Sequence, residues 1–280
     1  MKLASYRLQN KDSYGVVVDG GVVDLAKRLK YPDLRALIEA GALAEAASAA
    51  KGAKPDAALS DITFLPLLPN PGKIICVGLN YKAHREETGR KETDNPALFV
   101  RFPDSQTAHL QPLVKPKASD MLDYEGELAV IIGKAGRHVS EDNALSMIAG
   151  YSCYNDGSVR DWQNHTIQWT AGKNFPKTGS FGPWMVTTDE IPDPTKLTLT
   201  TRLNGNVMQN SGVDLLIFPI PTLIKYITTF TELRPGDVIS TGTPGGVGMK
   251  RNPPVFMKAG DSVEIEITGI GILKNQIVAE

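Results

Sequence analysis

The chain has 280 residues, of which 41% are hydrophobic and 22% charged, and its 30 basic and 31 acidic residues nearly cancel. That composition is ordinary for a globular chain and excludes intrinsic disorder. Without a long run of Lys and Arg there is no electrostatic footprint for nucleic acid or a membrane surface, so small molecules are the expected partners.

The opening "MKLASYRLQNKDSYG" lacks the apolar stretch of a signal peptide. No run approaches the ~20 apolar residues that span a bilayer, and a cytoplasmic protein is expected. Alternation in "YGVVVDGGVVDLA" predicts a hairpin around Asp19 and Gly20, and "PDLRALIEAGALAEAASAA" predicts an Ala-rich helix after it. Together they read as a small N-terminal α/β module over residues 1–68. The prolines of "ITFLPLLPNPGK" disfavour helix and cannot donate to a central ladder, which sets a boundary there and a main domain over 69–280. That domain reads as short apolar runs punctuated by Gly and Pro, an α+β, β-rich pattern whose clearest helix is "IPTLIKYITTF". Cys76 and Cys153 lie in apolar runs without metal or redox spacing, as reduced core thiols do.

"VGLNYKAHREETG" predicts a strand, Asn80 as N-cap, a short helix, and Gly89 as its stop. His84 and Glu87 are one turn apart, a spacing at which a carboxylate orients an imidazole as a general base; a surface helix can also carry such a pair by chance. Glu86, at i+2, points away. In "DYEGELAVIIG" a strand would place Glu125 and Glu127 on one side, with Tyr124, Leu128 and Val130 on the other. Neighbouring carboxylates repel unless a cation lies between them, and a hard divalent ion suits an all-oxygen pair. The other reading is an exposed strand end with two solvated glutamates.

In "YSCYNDGSVRDWQ", Asp156 sits where a strand exits and offers a third carboxylate, or a cap for the following turn. Arg160, one helical turn on, and Gln163 would line one face with donors for an anionic substrate, or form a solvated helix face. Lys173 falls in the Gly- and Pro-rich "TAGKNFPKTGSFGPW", read as a binding or a solvated loop. "STGTPGGVG" offers backbone N–H groups able to cradle a carboxylate, but lacks the spacing of a nucleotide-binding loop.

Taken in order, "GLNYKAHREETG", "DYEGELAVIIG", "YNDGSVRDWQ", "GKNFPKTGSFGPW", "STGTPGGVG" and "AGDSVEIEITGIGIL" resemble the fumarylacetoacetate hydrolase family from about residue 70 onward. The resemblance implies a mixed β-sandwich roll, usually a homodimer. It implies Glu125, Glu127 and Asp156 as ligands of Mg²⁺ or Mn²⁺, with Ca²⁺ able to replace them in crystals. It also implies His84 and Glu87 as a water-activating dyad, Lys173 as the active-site lysine, and Arg160, Gln163 and Thr243 as substrate contacts. Two departures stand out: "ICVGL" lacks the aspartate that larger animal-type hydrolases add to the metal, and Phe175, Pro176 and Lys177 stand where many small relatives carry an aspartate.

The expected activity is metal-dependent hydrolysis of a C–C bond in a 2,4-dioxo acid of the fumarylpyruvate or acylpyruvate type. It would release pyruvate or a related 2-oxo acid in aromatic or sugar catabolism. Oxaloacetate-type decarboxylation and isomerisation of a 2-oxo dienoate use the same enolate chemistry. A non-catalytic protein that binds metal and a 2-oxo acid is the alternative from a different class.

Overall fold

The computed structural model describes residues 1–280. Strands Lys2–Leu8, Lys11–Val18 and Gly21–Asp24 form a meander whose two turns rest on Gln9–Asn10 and Asp19–Gly20, all four at positive φ. The expected hairpin around Asp19 and Gly20 is therefore present. The Ala-rich segment is not one helix but two, Leu34–Glu39 and Leu43–Ala50, because Gly41 adopts a left-handed φ of 64° between them.

Lys2–Leu8 also pairs with Gly179–Thr187, which ties the N-terminal meander into a 12-stranded sheet. From there the sheet runs through Ile148–Asn155, Gly126–Ile132, Val238–Ser240, Ile74–Gly78 and Ala97–Val100. Residues before the proline segment thus extend the main sheet, and Leu3, Leu34 and Leu37 share a buried cluster with Ile74, Ala129 and Ile131. A second sheet of five strands, among them Thr198–Leu203, Ser262–Ile267 and Gly271–Ala279, packs on the opposite face.

The strand Gly126–Ile132 is buried along its whole length, and its period of two divides it between two cores. Leu128, Val130 and Ile132 join Leu199 and Ile265 of the second sheet and Ile224 of the helix Ile220–Phe230. Ala129 and Ile131 enter the other core, against the N-terminal module. Glu125 and Glu127 belong to this latter face by the same alternation. Truncating Ile131 to Ala in so enclosed a strand would cost on the order of 2–5 kcal/mol. Both cysteines are free and buried, and burial pushes the Cys153 thiol up to about 12, so neither is a reactive thiolate. No helix is long and apolar enough to cross a membrane.

Candidate active site

Glu125, Glu127 and Asp156 come together, each offering an oxygen within 4.8 Å of the others. Glu125 and Glu127 flank Gly126 at the start of one strand, and Asp156 leaves the end of its antiparallel neighbour, where Asn155 stands opposite Gly126. The crossing is pinned locally: Asp156 N–H donates to Glu125 O at 2.9 Å, and Glu125 N–H donates to Asn155 Oδ1 at 3.0 Å. With relative exposures of 4%, 2% and 0%, these are neither solvated glutamates nor a turn cap.

Each carboxylate but one has its own cation. Lys173 Nζ lies 2.6 Å from both Glu125 Oε2 and Asp156 Oδ2. Arg101 is 2.6 Å from Asp156 Oδ1, and Arg160 is 2.7 Å from Glu125 Oε1 and 2.8 Å from Asp123 Oδ2. Burial alone would raise the Glu125 carboxyl, but Lys173 and then Arg160 outweigh it and hold the group well below the usual carboxylate range. Glu127 differs. Its Oε2 accepts from Ser240 Oγ at 2.6 Å and Gly242 N–H at 2.9 Å, and no cation pairs with it. Burial first, then the charges of Asp156 and Glu125, push its carboxyl well above the ordinary range. Four buried carboxylates, Asp123 included, face the three buried cations Arg101, Arg160 and Lys173. Glu127 is the carboxyl left without a cation of its own, and an all-oxygen donor set short of one cation fits a hard divalent ion.

Lys173 is not on a loop. It ends the short helix Thr170–Lys173 and is 1% exposed, which rules out a solvated lysine. His84 stands on the helix Lys82–Thr88 with Nδ1 2.7 Å from Glu87 Oε1. An ionised carboxylate only accepts, so the proton between them sits on Nδ1, and in the neutral ring Nε2 is then the acceptor. Gly89, at φ 68°, stops the helix as expected, and Glu86 is exposed, 3.8 Å from Lys82. The N-cap position is Tyr81 rather than Asn80, because the Asn80 side chain is drawn away to Phe218 and to Thr241 O.

The glycine-rich stretch does cradle carboxylates, but they are the protein's own. Gly242 N–H binds Glu127, Gly246 N–H binds Glu87 Oε2 at 2.8 Å, and Gly248 and Met249 N–H bind Asp123 at 2.8 and 3.0 Å. Asp156, Arg160 and Gln163 do not share a helix: Ser158–Val159 is a short strand and the helix begins at Arg160. Arg160 Nη1 donates to Gln163 Oε1 at 3.0 Å, whereas its buried Nη2 has no hydrogen-bond partner. The Thr243 hydroxyl is already used, donating to Gly126 O at 3.0 Å and accepting from Gln209 at 2.8 Å.

The carboxylate triad, His84, Lys173, Arg160, Gln163 and Thr243 line a single cavity of about 280 Å³, walled in part by Phe99 and Trp169. Glu87 stands behind His84. Val77 and Gly78 reach the wall from the strand Ile74–Gly78, so that strand adds no carboxylate. Sequence reasoning passed over Arg101 and Asp123. Their signals were present: an arginine closing the apolar "ALFVRF", and an aspartate opening "DYEGE".

A family model described as the fumarylacetoacetate (FAA) hydrolase C-terminal region matches residues 73–278. Mitochondrial oxaloacetate tautomerase from Rattus norvegicus is 40% identical over 220 residues, covering 78% of this chain and 70% of that protein. Fumarylacetoacetate hydrolase from Exiguobacterium antarcticum superposes with a TM-score of 0.84 at 33% identity, covering 100% of both chains. Maleylpyruvate hydrolase from Sphingobium sp. SYK-6, in complex with manganese(II) ion and pyruvate, gives 0.83 at 28% identity, over 100% of this chain and 99% of that one. Since the matched stretch carries every residue of the cavity, and relatives at this identity span most of the chain, the protein belongs to the fumarylacetoacetate hydrolase family.

Proposed function

We propose that the protein is a metal-dependent enzyme that moves a proton at the carbon beside the carbonyl of a 2-oxo acid, interconverting keto and enol forms. One observation carries this reading: His84, held by Glu87 through Nδ1 at 2.7 Å, shares a cavity with a carboxylate triad that lacks one cation. A divalent ion held by Glu125, Glu127 and Asp156 would stabilise negative charge on the oxygens of a bound 2-oxo acid. His84 Nε2 would take the proton from the carbon and return it, while Glu87 stabilises the imidazolium formed between the two steps. Arg160 Nη2 supplies a buried donor for the substrate, and Lys173 keeps Glu125 and Asp156 fixed in place. Similarity to an oxaloacetate tautomerase supports proton transfer ahead of bond cleavage.

The second reading is the one the sequence motifs place first: His84 activates water for C–C hydrolysis of a 2,4-dioxo acid, with release of pyruvate. Similarity to a maleylpyruvate hydrolase seen with manganese and pyruvate supports it. Mg²⁺ or Mn²⁺ as the ion, a cytoplasmic setting, a homodimer, and a role in aromatic or sugar catabolism belong to the same proposal. The test follows loss of enol absorbance from oxaloacetate, and pyruvate release from a panel of 2,4-dioxo acids, with added Mg²⁺ and with chelator. Metal-dependent enol loss without pyruvate supports the tautomerase. Faster pyruvate release from a dioxo acid supports the hydrolase, and inactivity in both assays sinks the enzymatic reading.

A further inference from the structure

We infer that Asn174 is a positioning residue for the carboxylate triad: its carboxamide ties the backbone that carries Arg101 to the helix that carries Lys173, and so fixes Asp156 for a divalent ion. This inference rests on the reading of the triad as a metal site. Asp156 is gripped from two sides, with Arg101 Nη1 2.6 Å from Oδ1 and Lys173 Nζ 2.6 Å from Oδ2. The two cations come from distant parts of the chain. Arg101 follows the strand Ala97–Val100, and Lys173 ends the helix Thr170–Lys173. That strand closes one end of the 12-stranded sheet and pairs with Ile74–Gly78 on one side only. No strand pairing therefore sets Lys173 in register with Arg101.

Asn174 supplies the missing link. Arg101 N–H donates inward to Ile74 O at 3.1 Å. In extended backbone the flanking groups, Val100 C=O and Phe102 N–H, then point the other way, to the open edge of the sheet. There Asn174 Oδ1 accepts from Phe102 N–H at 2.7 Å, and Nδ2 donates to Val100 O at 3.1 Å. A carboxamide offers the same donor and acceptor as a peptide group, so it closes one rung as a neighbouring strand would. Nδ2 also donates to Thr170 O at 2.9 Å, which ties that rung to the start of the Lys173 helix. The residues on either side of Arg101 and the residue after Lys173 are thus bonded to one another. Phe99, on the same strand, packs edge-on against Trp169 with centroids 5.5 Å apart and lies 4.9 Å from Lys173 Nζ. An aspartate at position 174 would present only acceptors to the carbonyls of Val100 and Thr170. Losing a group that orients metal ligands typically costs about 10- to 100-fold in metal affinity, and Asn174 acts one step further out, so the lower end applies.

The test is calorimetric titration of the full chain with Mg²⁺ and with Mn²⁺. Asn174→Ala is expected to weaken binding by about tenfold. Asn174→Leu keeps the branched shape but none of the hydrogen bonds; it should weaken binding as much, and it carries the test if the alanine protein does not fold. The control is Leu34→Ala, a core truncation in the helix Leu34–Glu39, which bears no residue of the cavity. It should lower stability while its folded form binds both ions as the wild type does. Unchanged affinity in Asn174→Ala, affinity retained in Asn174→Leu, or an equal loss in Leu34→Ala would overturn the positioning role while leaving the metal reading intact. If the wild type binds neither ion, the metal reading fails and this role fails with it.

Discussion

Gly246 gives its backbone N–H to Glu87 Oε2 at 2.8 Å, and the other oxygen of that carboxylate stands 2.7 Å from His84 Nδ1. The glycine-rich loop therefore anchors Glu87 of the dyad as well as Glu127 of the triad. Gly246 sits at φ 103°, and a Cβ there would come within 2.3 Å of Met208 O, so Gly246→Ala must strain or displace the loop. We expect a loss on the order of 1–3 kcal/mol of stability. Turnover should fall while Mg²⁺ affinity stays near wild type, because the donor lost is Glu87's and not a carboxylate of the triad. Unchanged turnover in a folded Gly246→Ala protein would show that Glu87 needs no anchor.

His84→Ala removes the proton acceptor itself. Tautomerisation and hydrolysis both require it, so each should drop roughly 10²- to 10⁴-fold. Decarboxylation of oxaloacetate needs no base, and any such side activity should survive. Glu87→Gln should act in the same direction but more weakly, and Glu86→Gln, on the exposed side of the helix, should be nearly silent. The three reactions are to be compared at saturating Mg²⁺. A uniform fall in all of them, together with weakened metal binding, would make His84 a structural residue.

Glu127 and Lys173 are buried in the same charge cluster, yet their removal should have opposite signs in metal-free protein. Glu127 has no cation, and its neighbours Asp156 and Glu125 repel it. Glu127→Gln therefore relieves repulsion and should leave the metal-free melting temperature level or higher, while abolishing the rise that Mg²⁺ produces. Lys173→Met removes the ammonium that Glu125 and Asp156 share and leaves them only Arg160 and Arg101, so it should cost up to about 3–5 kcal/mol, the range for breaking a buried pair. Mg²⁺ should restore part of that loss. Melting curves with and without Mg²⁺ decide it; a destabilised metal-free Glu127→Gln protein would mean that Glu127 is already neutralised by its hydrogen bonds.

The elements and residues legible in the sequence are those governed by local periodicity. Alternation alone put Glu125 and Glu127 on one face, the i, i+3 spacing paired His84 with Glu87, and the spacing of Ile220, Leu223, Ile224 and Ile227 marked the helix Ile220–Phe230. What the sequence hid depends on partners far along the chain. Arg101 meets Asp156 55 residues away, and Asn80, locally a good N-cap, is claimed by Phe218 138 residues away. The glycine-rich loop could be read as a carboxylate cradle, but nothing local says that the carboxylates are Glu127, Glu87 and Asp123. The meander before the proline segment looked separate because prolines mark a break in pairing; its merger with the main sheet depends on Lys2–Leu8 finding Gly179–Thr187.

The last prediction concerns acid sensitivity away from the cavity. His109 packs edge-on against Phe64, with ring centroids 4.9 Å apart, and its Nδ1 accepts the Lys274 N–H at 3.1 Å. That bond requires an unprotonated Nδ1. Burial, and secondarily the Lys274 charge, lower the His109 pKa from 6.5 to about 4. In the unfolded chain the ring titrates near its ordinary value of about 6.5, so between about pH 6.5 and pH 4 the unfolded state binds the extra proton. The stabilisation is fully present above about pH 6.5 and is lost as pH falls through that window, by on the order of 2 kcal/mol after allowing for partial exposure. His109→Asn keeps an acceptor for Lys274 N–H but cannot titrate. Its stability should be close to wild type at neutral pH, or slightly lower through lost contact with Phe64. It should then decline less steeply than wild type on acidification. Urea unfolding of both proteins at about pH 7, 6 and 5 gives the difference curve in which acid effects from other groups cancel. Parallel curves over that range would mean that His109 is protonated in the folded protein or that its Lys274 hydrogen bond does not form.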